Sequence, residues 1–207
     1  MKPTYAGFEA KKRNGFPELP PVGAYVVEIK KAVEVDHFGR PAIEVTFDIC
    51  EGEYKGRYME VWKDQDEKWG KAYYKGTFRL IPADGDKLSE SYERSLQGKF
   101  EHNLWCIEQS NGFDSNNEPL YHWDWDEKKL VGKKVGINVR KLIYTGKDKD
   151  GNPVDKETTE VWQFETIDDV HKGNCKLMKE HDKRKAKVES NEQEFTPVES
   201  SEVSVPW

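Results

Sequence analysis

The stretch YKGRYMEVWKDQDEKWGKAYYKGTFR, residues 54–79, sets seven aromatic rings (Tyr54, Tyr58, Trp62, Trp69, Tyr73, Tyr74 and Phe78) among seven basic side chains (Lys55, Arg57, Lys63, Lys68, Lys71, Lys75 and Arg79). Rings and cations mixed at this density are the materials for holding an unpaired nucleic-acid strand. Every base has a π-face that stacks on a ring for roughly 1–3 kcal/mol, and the cations follow the phosphates. The residues expected to act in this way are Arg57, Tyr58, Trp62, Lys63, Trp69, Lys71, Tyr73, Tyr74, Lys75 and Arg79. Four acids (Glu60, Asp64, Asp66 and Glu67) are interleaved with them. About half of the rings are expected to be structural, because buried aromatics dominate cores. Two other places offer the same chemistry. The turn DHFGR carries Phe38 and Arg40, and the hairpin near residues 140–157 carries Arg140, Tyr144 and Lys147. Lysines beyond Lys147 read as a solvated hairpin tip.

Other chemistries find less support. His122, Asp124 and Asp126 alternate in YHWDWDE and could in principle bind a metal, but Trp123 and Trp125 alternate with them, so packing is the expected use. No nucleophile elbow, phosphate-binding loop or HExxH pattern occurs. The expectation is a non-enzyme with no catalytic residues, no cofactor and no metal. Cys50, Cys106 and Cys175 are far apart and odd in number, which suits reduced thiols in a cytoplasmic protein. No apolar run approaches the roughly 20 residues that span a bilayer, and nothing reads as a secretion signal. The formal net charge of −6 looks wrong for a nucleic-acid partner. Its distribution alters that reading. Residues 188–207 hold five acids and no base, so without them 33 bases face 34 acids, taking five from 39. A near-neutral body can still carry a basic groove, and the groove matters more than the total.

The elements that must position these residues follow from periodicity. Tyr25, Val27 and Ile29 alternate after a Pro-Pro-Val-Gly start, and Ile43, Val45, Phe47 and Ile49 share one face of PAIEVTFDI. A third strand is expected at RYMEVWK. Residues 64–112 read as a helical insert, with Leu88, Tyr92, Leu96, Phe100 and Leu104 at steps of four and a stop at Asn111-Gly112. Strands resume with Val135, Ile137 and Val139, turn at Asp150-Gly151 and return through TTEVWQFETI. Thr166 and Asp169 have capping-box spacing for a short helix. This order predicts a mainly β fold: a five-stranded OB-fold barrel with a helical insert between strands 3 and 4. The expected domains are a flexible arm over 1–18, the barrel over 19–175, and a charged, then acidic tail over 176–207, disordered from 188. One objection stands against a binding groove on strand two. Glu44, Thr46 and Asp48 are expected to face outward there, and carboxylates sit poorly beside phosphates.

The segments LPPVGAYVVEIKKAVEV, VTFDICEGEYKGRY, IEQSNG, WDWDEKKLVGKKVG and TIDDVHKGN resemble, in this order, single-stranded DNA-binding proteins encoded in phage and prophage replication or recombination modules of Gram-positive bacteria. The resemblance covers roughly residues 19–174. It implies an OB-fold, sequence-tolerant single-strand binding without catalysis, and a bacterial host cytoplasm. The end of the chain, VESSEVSVPW, is similar in design to the acidic tails of bacterial single-stranded DNA-binding proteins, with Trp207 where those have phenylalanine. This implies docking of Pro206 and Trp207 on a replication or recombination partner. A homo-oligomer is compatible with the sequence. Two rival readings differ in what the rings do: a structural or protein-interaction barrel with all of them in its core, or a metal-dependent nuclease using His122, Asp124 and Asp126.

Overall fold

The alternating segments pair into a curled, open sheet. The computed structural model describes residues 18–64, 74–83, 89–148, 150–178 and 180–184. Among these, β1 (Gly23–Asp36) and β2 (Pro41–Ile49) form an antiparallel hairpin, and β3 (Thr77–Leu80) adds to the free edge of β2. On the other side β1 pairs with β4 (Lys134–Lys147), which pairs with β5 (Pro153–Glu165). The strand order is β3-β2-β1-β4-β5, and the two-residue β6 (His181–Asp182) lies parallel to β4. Three helices complete the described chain: α1 (Arg57–Asp64), α2 (Glu90–Gln109) and α3 (Ile167–Lys172). The fold is thus mainly β and barrel-like, and none of its described helices is long and apolar enough to cross a membrane.

Two irregularities make the sheet curl. The register slips between Ile29 and Lys31 on β1, and opposite Asn138 and Val139 of β4, where β5 carries Trp162 as the extra residue. A bulge of this kind bends its strand and sharpens the twist. β1 can therefore pair with β4 through its first half and with β2 through its second. The concave face collects Val27, Ile29, Val45, Phe47, Ile137 and Phe164, all fully buried. β3 and β5 are not hydrogen-bonded to each other. Their seam is bridged by Phe78 and Phe164, whose ring centres lie 4.9 Å apart. Helix α2 serves the open edge of β5: Asn103 Oδ1 accepts from the Phe164 amide at 2.9 Å, and Cys106 Sγ lies 3.5 Å from the Phe164 carbonyl oxygen. Those ladder groups are thereby satisfied without a strand.

The third strand is not RYMEVWK. That segment is α1, and the strand is Thr77–Leu80, inside the expected insert. Tyr58, Val61 and Trp62 have i, i+3, i+4 spacing, and the deciding contact comes from β2. Asp48 is buried, and its carboxylate accepts from the Tyr58 amide at 3.1 Å and the Met59 amide at 3.2 Å. These are donors at a helix N-terminus with no partner inside the helix, and a carboxylate there also meets the positive end of the helix dipole. Gly76 lets β3 start close by, since a Cβ there would fall 2.4 Å from the Phe47 carbonyl oxygen.

On α2 the inward face is Glu93, Phe100, Asn103, Leu104, Cys106 and Ile107. Tyr92, expected on that face, is exposed; Leu88 lies outside the described residues. The expected stop holds: Ser110 caps α2, and Gly112 has φ 92°. Thr166 caps α3, accepting from the Asp169 amide at 3.1 Å. The chain beyond α3 returns to the sheet. The Lys176 carbonyl accepts from Asn138 Nδ2 at 2.8 Å, and Arg184 pairs with Asp155 and Asp182. The boundary expected at 176 therefore falls inside a segment packed on β4.

Candidate nucleic-acid interface

The outward face of β2 and β3 can be read from register. Lys31, Thr46 and Thr77 are cross-strand partners, as are Val33, Glu44 and Arg79. Partners in an antiparallel ladder share a face. The acids that made this face unfavourable are answered. Asp48 is spent on the amides of α1. Glu44 accepts from Arg79 Nε at 2.9 Å and lies 2.8 Å from its Nη2. Lys31, Lys63 and Lys75 are exposed and make no ion pair with a described residue. Lys31 is thus the cation of these rows without a described partner, while Lys63 on α1 has the exposed Asp64 beside it.

At one end of the face stands Phe38. It occupies the tip of the β1–β2 hairpin, where His37 and Arg40 exchange backbone hydrogen bonds of 2.8 and 3.3 Å. Phe38 has φ 56° and Gly39 φ 77°. Two successive positive φ values make a type I′ turn, whose first position favours Asn, Asp or Gly. A side chain with a Cβ costs roughly 1–2 kcal/mol in that left-handed region. The ring gains little in return, being 92% exposed. The edge of His37 supports it, with ring centres 4.7 Å apart, and Arg79 Nη1 lies 3.3 Å from His37 Nδ1. An apolar ring held in water by a strained backbone is an outlier that points toward function.

At the other end stand Trp62 on α1 and Tyr74 before β3, with ring centres 6.3 Å apart. Trp62 is 40% exposed. Tyr74 is half-buried, and its hydroxyl donates to the Phe47 carbonyl at 2.9 Å. Burial, and then the Asp48 carboxylate, push that hydroxyl far above the usual tyrosine range. Tyr58 is a correction. It is 3% exposed and packs edge-on against Phe47 at 5.9 Å, so it belongs to the core and offers no stacking face. Its hydroxyl is also pushed up, by burial first and then by Tyr25 and Asp48. Arg57 is half-buried; its guanidinium lies 5.4 Å from the centre of the Tyr54 ring, and its Nε 3.4 Å from Glu60.

Two expected phosphate contacts are corrected outright. Arg40 is 6% exposed and pairs with Glu93 on α2, with Nη2 to Oε1 at 2.5 Å. Arg140 is 8% exposed and donates from Nε to Glu160 Oε1 at 2.8 Å, beneath His181. Both cations are structural because a carboxylate meets each one as it is buried: Glu93 from α2, and Glu160 from the position opposite Arg140 on β5. Burial disfavours charge on Glu160, but the hydrogen bonds from His181 and Arg140 outweigh it and hold that carboxyl below its usual range. Tyr144 and Lys147 are not brought to the face. The β1–β4 pairing ends at Gly23 and Val139, so both lie beyond the start of β1, away from the Phe38 turn. Trp69, Lys71, Tyr73, Pro206 and Trp207 lie outside the described residues.

The residues of the nuclease reading are engaged separately. Asp124 pairs with Lys129, Asp126 caps a short turn through the Lys128 amide at 3.1 Å, and His122 Nδ1 lies 3.8 Å from Glu108. Among the described residues no cluster of three or more His, Cys, Asp or Glu side chains could hold a metal.

Sequence reasoning missed Lys31, Lys99 and Trp162. Lys31 needed the bulge to place it on the Thr46 row. Lys99 Nζ lies 4.7 Å from the centre of the Trp162 ring, and Arg140 Cζ lies 3.6 Å from it. No local spacing announces a pairing across 63 residues. No protein-family model matches this chain, and no curated protein matches it.

Proposed function

We propose that this chain is a non-catalytic OB-fold protein that binds single-stranded DNA without strong sequence preference. It would protect the strand during phage replication or recombination. The strand lies along the outward face of β2 and β3, from Phe38 to Trp62, with bases against the exposed rings and phosphates beside Lys31, Lys63 and Lys75, and beside Arg79 where it shares its guanidinium with Glu44. Four residues of β3 at about 3.3 Å each, with the turn and α1 beyond its two ends, give a track of the order of the few nucleotides an OB-fold engages.

The observation that carries this reading is Phe38, a ring exposed at the cost of a left-handed backbone, at the end of a face whose two carboxylates are already answered. The strand order and the place of α2 between β3 and β4 support the OB-fold assignment, as does the resemblance of the segments quoted above. The tail residues Pro206 and Trp207 belong to the same proposal as a docking point for a replication or recombination protein.

The test is anisotropy of a labelled oligo-dT titrated with the full chain across a salt series. Binding should weaken along a straight log–log line, with a slope of about −0.7 for each phosphate neutralised. Absence of binding at low salt would overturn the reading.

A further inference from the structure

The seam between β3, β5 and α2 opens into a cleft of about 190 Å³. Phe78 forms one wall, Trp162 another, and Phe100 lines it from α2. Arg79 and Lys99 are its cationic groups, Arg79 already paired with Glu44 on β2, and no carboxylate among the described residues lines the cleft itself. In a chain with more acids than bases, that is a selective arrangement. Lys99 has no ion pair with a described residue; its ammonium covers the Trp162 ring at 4.7 Å.

Asn103 supplies direction. Its Oδ1 accepts from the Phe164 amide at 2.9 Å, which fixes the orientation of the side-chain amide. Its Nδ2 is therefore a donor, no described residue accepts from it, and Asn103 lines the cleft. A flat ring bearing an acceptor edge, joined to an anion, answers all three features: the aromatic walls, the Asn103 donor and the Lys99 cation. A plain aromatic side chain would answer only the first.

We infer that this cleft binds one nucleotide unit, its base against Trp162 and Phe78 and its phosphate drawn to Lys99. Lys99 leaves the indole as the base arrives and follows the phosphate. Arg79 belongs both to this cleft and to the β2–β3 face, so a strand on that face can turn one base round the edge of β3 into the seam. As a stop for a base of a bound strand, the cleft rests on the single-strand reading; as a mononucleotide site it does not.

The experiment is a heteronuclear NMR titration of the full chain with dTMP, thymidine, inorganic phosphate and N-acetyltryptophanamide. It reads the Trp162 indole N–H, assigned with Trp162→Phe, and the Asn103 side-chain amide. dTMP should move both signals, thymidine should bind roughly tenfold or more weakly, and Lys99→Glu should weaken dTMP by a similar factor, the scale of one lost charge-assisted contact. Asn103→Asp, which keeps the acceptor for Phe164 and removes the donor, should weaken dTMP without unfolding the chain. Unmoved signals at millimolar dTMP, or N-acetyltryptophanamide binding as tightly as dTMP, would overturn the inference. Oligo-dT anisotropy run on the same variants separates the two claims. Oligo-dT binding that ignores Lys99→Glu and Trp162→Ala overturns the cleft as a stop for a base of a bound strand and leaves the β2–β3 face. A cleft that takes dTMP in a chain that does not bind oligo-dT removes the face and leaves the cleft.

Discussion

The outward faces of two halves of one sheet have opposite fates. On β4 and β5, Asn138 and Arg140 point away from the core and yet are buried, because the chain beyond α3 crosses over them. On β2 and β3 no described segment crosses the equivalent rows in the same way: Lys31 and Arg79 stay exposed, while Glu44, Thr46 and Thr77 are half-buried. Both halves present a cation in the sequence. The difference lies in what arrives to cover them. Arg140 meets Glu160 and His181 under a returning segment, whereas Lys31 meets no carboxylate among the described residues. A buried cation must be paired, and once paired it is a fixture of the fold. An uncovered one remains free for a ligand.

The largest test of this contrast is Arg140→Ala against Lys75→Ala. Removing Arg140 strips Glu160 of one of its two partners, leaving His181, and uncovers the Trp162 ring; it should cost about 3 kcal/mol in denaturant unfolding. Lys75→Ala should stay within about 0.5 kcal/mol of the parent and instead weaken oligo-dT binding. Equal stability effects would erase the distinction between the faces.

The next effect concerns the rings. Trp62→Ala should weaken oligo-dT binding by roughly 1–3 kcal/mol. Phe38→Asn sharpens the point, because the two readouts should move in opposite directions. Asn tolerates the left-handed turn, so thermal stability should rise by about 0.5–1 kcal/mol while affinity falls. A loss of affinity with a gain in stability cannot be blamed on unfolding. Unchanged affinity would return Phe38 to the role of a bare turn residue.

The smallest effect is an acid limb belonging to the covered face. The Glu160 carboxyl is held below its usual range by His181 and Arg140, against the cost of burial. Its contribution to stability is therefore complete above the unfolded glutamate pKa of about 4.3 and is lost as pH falls through the lower folded value. The thermal midpoint should drop in that window, and Glu160→Gln should flatten the drop. A parent curve already flat there would contradict the pairing.

Alternation made β1, β2 and β4 legible, since each carries at least three apolar residues at period two, and β5 was legible as the return from the Asp150-Gly151 turn. β3 was not, because four residues carry too little period to stand out beside a long aromatic run. α1 read as a strand because its cap is Asp48, which precedes it in sequence on another element. The candidate site was half legible. Phe38, Trp62, Lys63, Lys75 and Arg79 were visible as exposed types in a suggestive segment. Arg40 and Arg140 looked the same in sequence, and only carboxylates 53 and 20 residues away distinguish them. Charge is written in the sequence; the partner that cancels it is written in the topology.

Strand contact with the β2–β3 face is tested most directly by mapping backbone amide shifts of the full chain during titration with oligo-dT. The largest shifts should fall on Lys31, Phe38, Thr46, Trp62, Thr77 and Arg79, with the covered Asn138–Arg140 row still. Shifts confined to α2 and the 112–126 loop, or none at low salt, would contradict it.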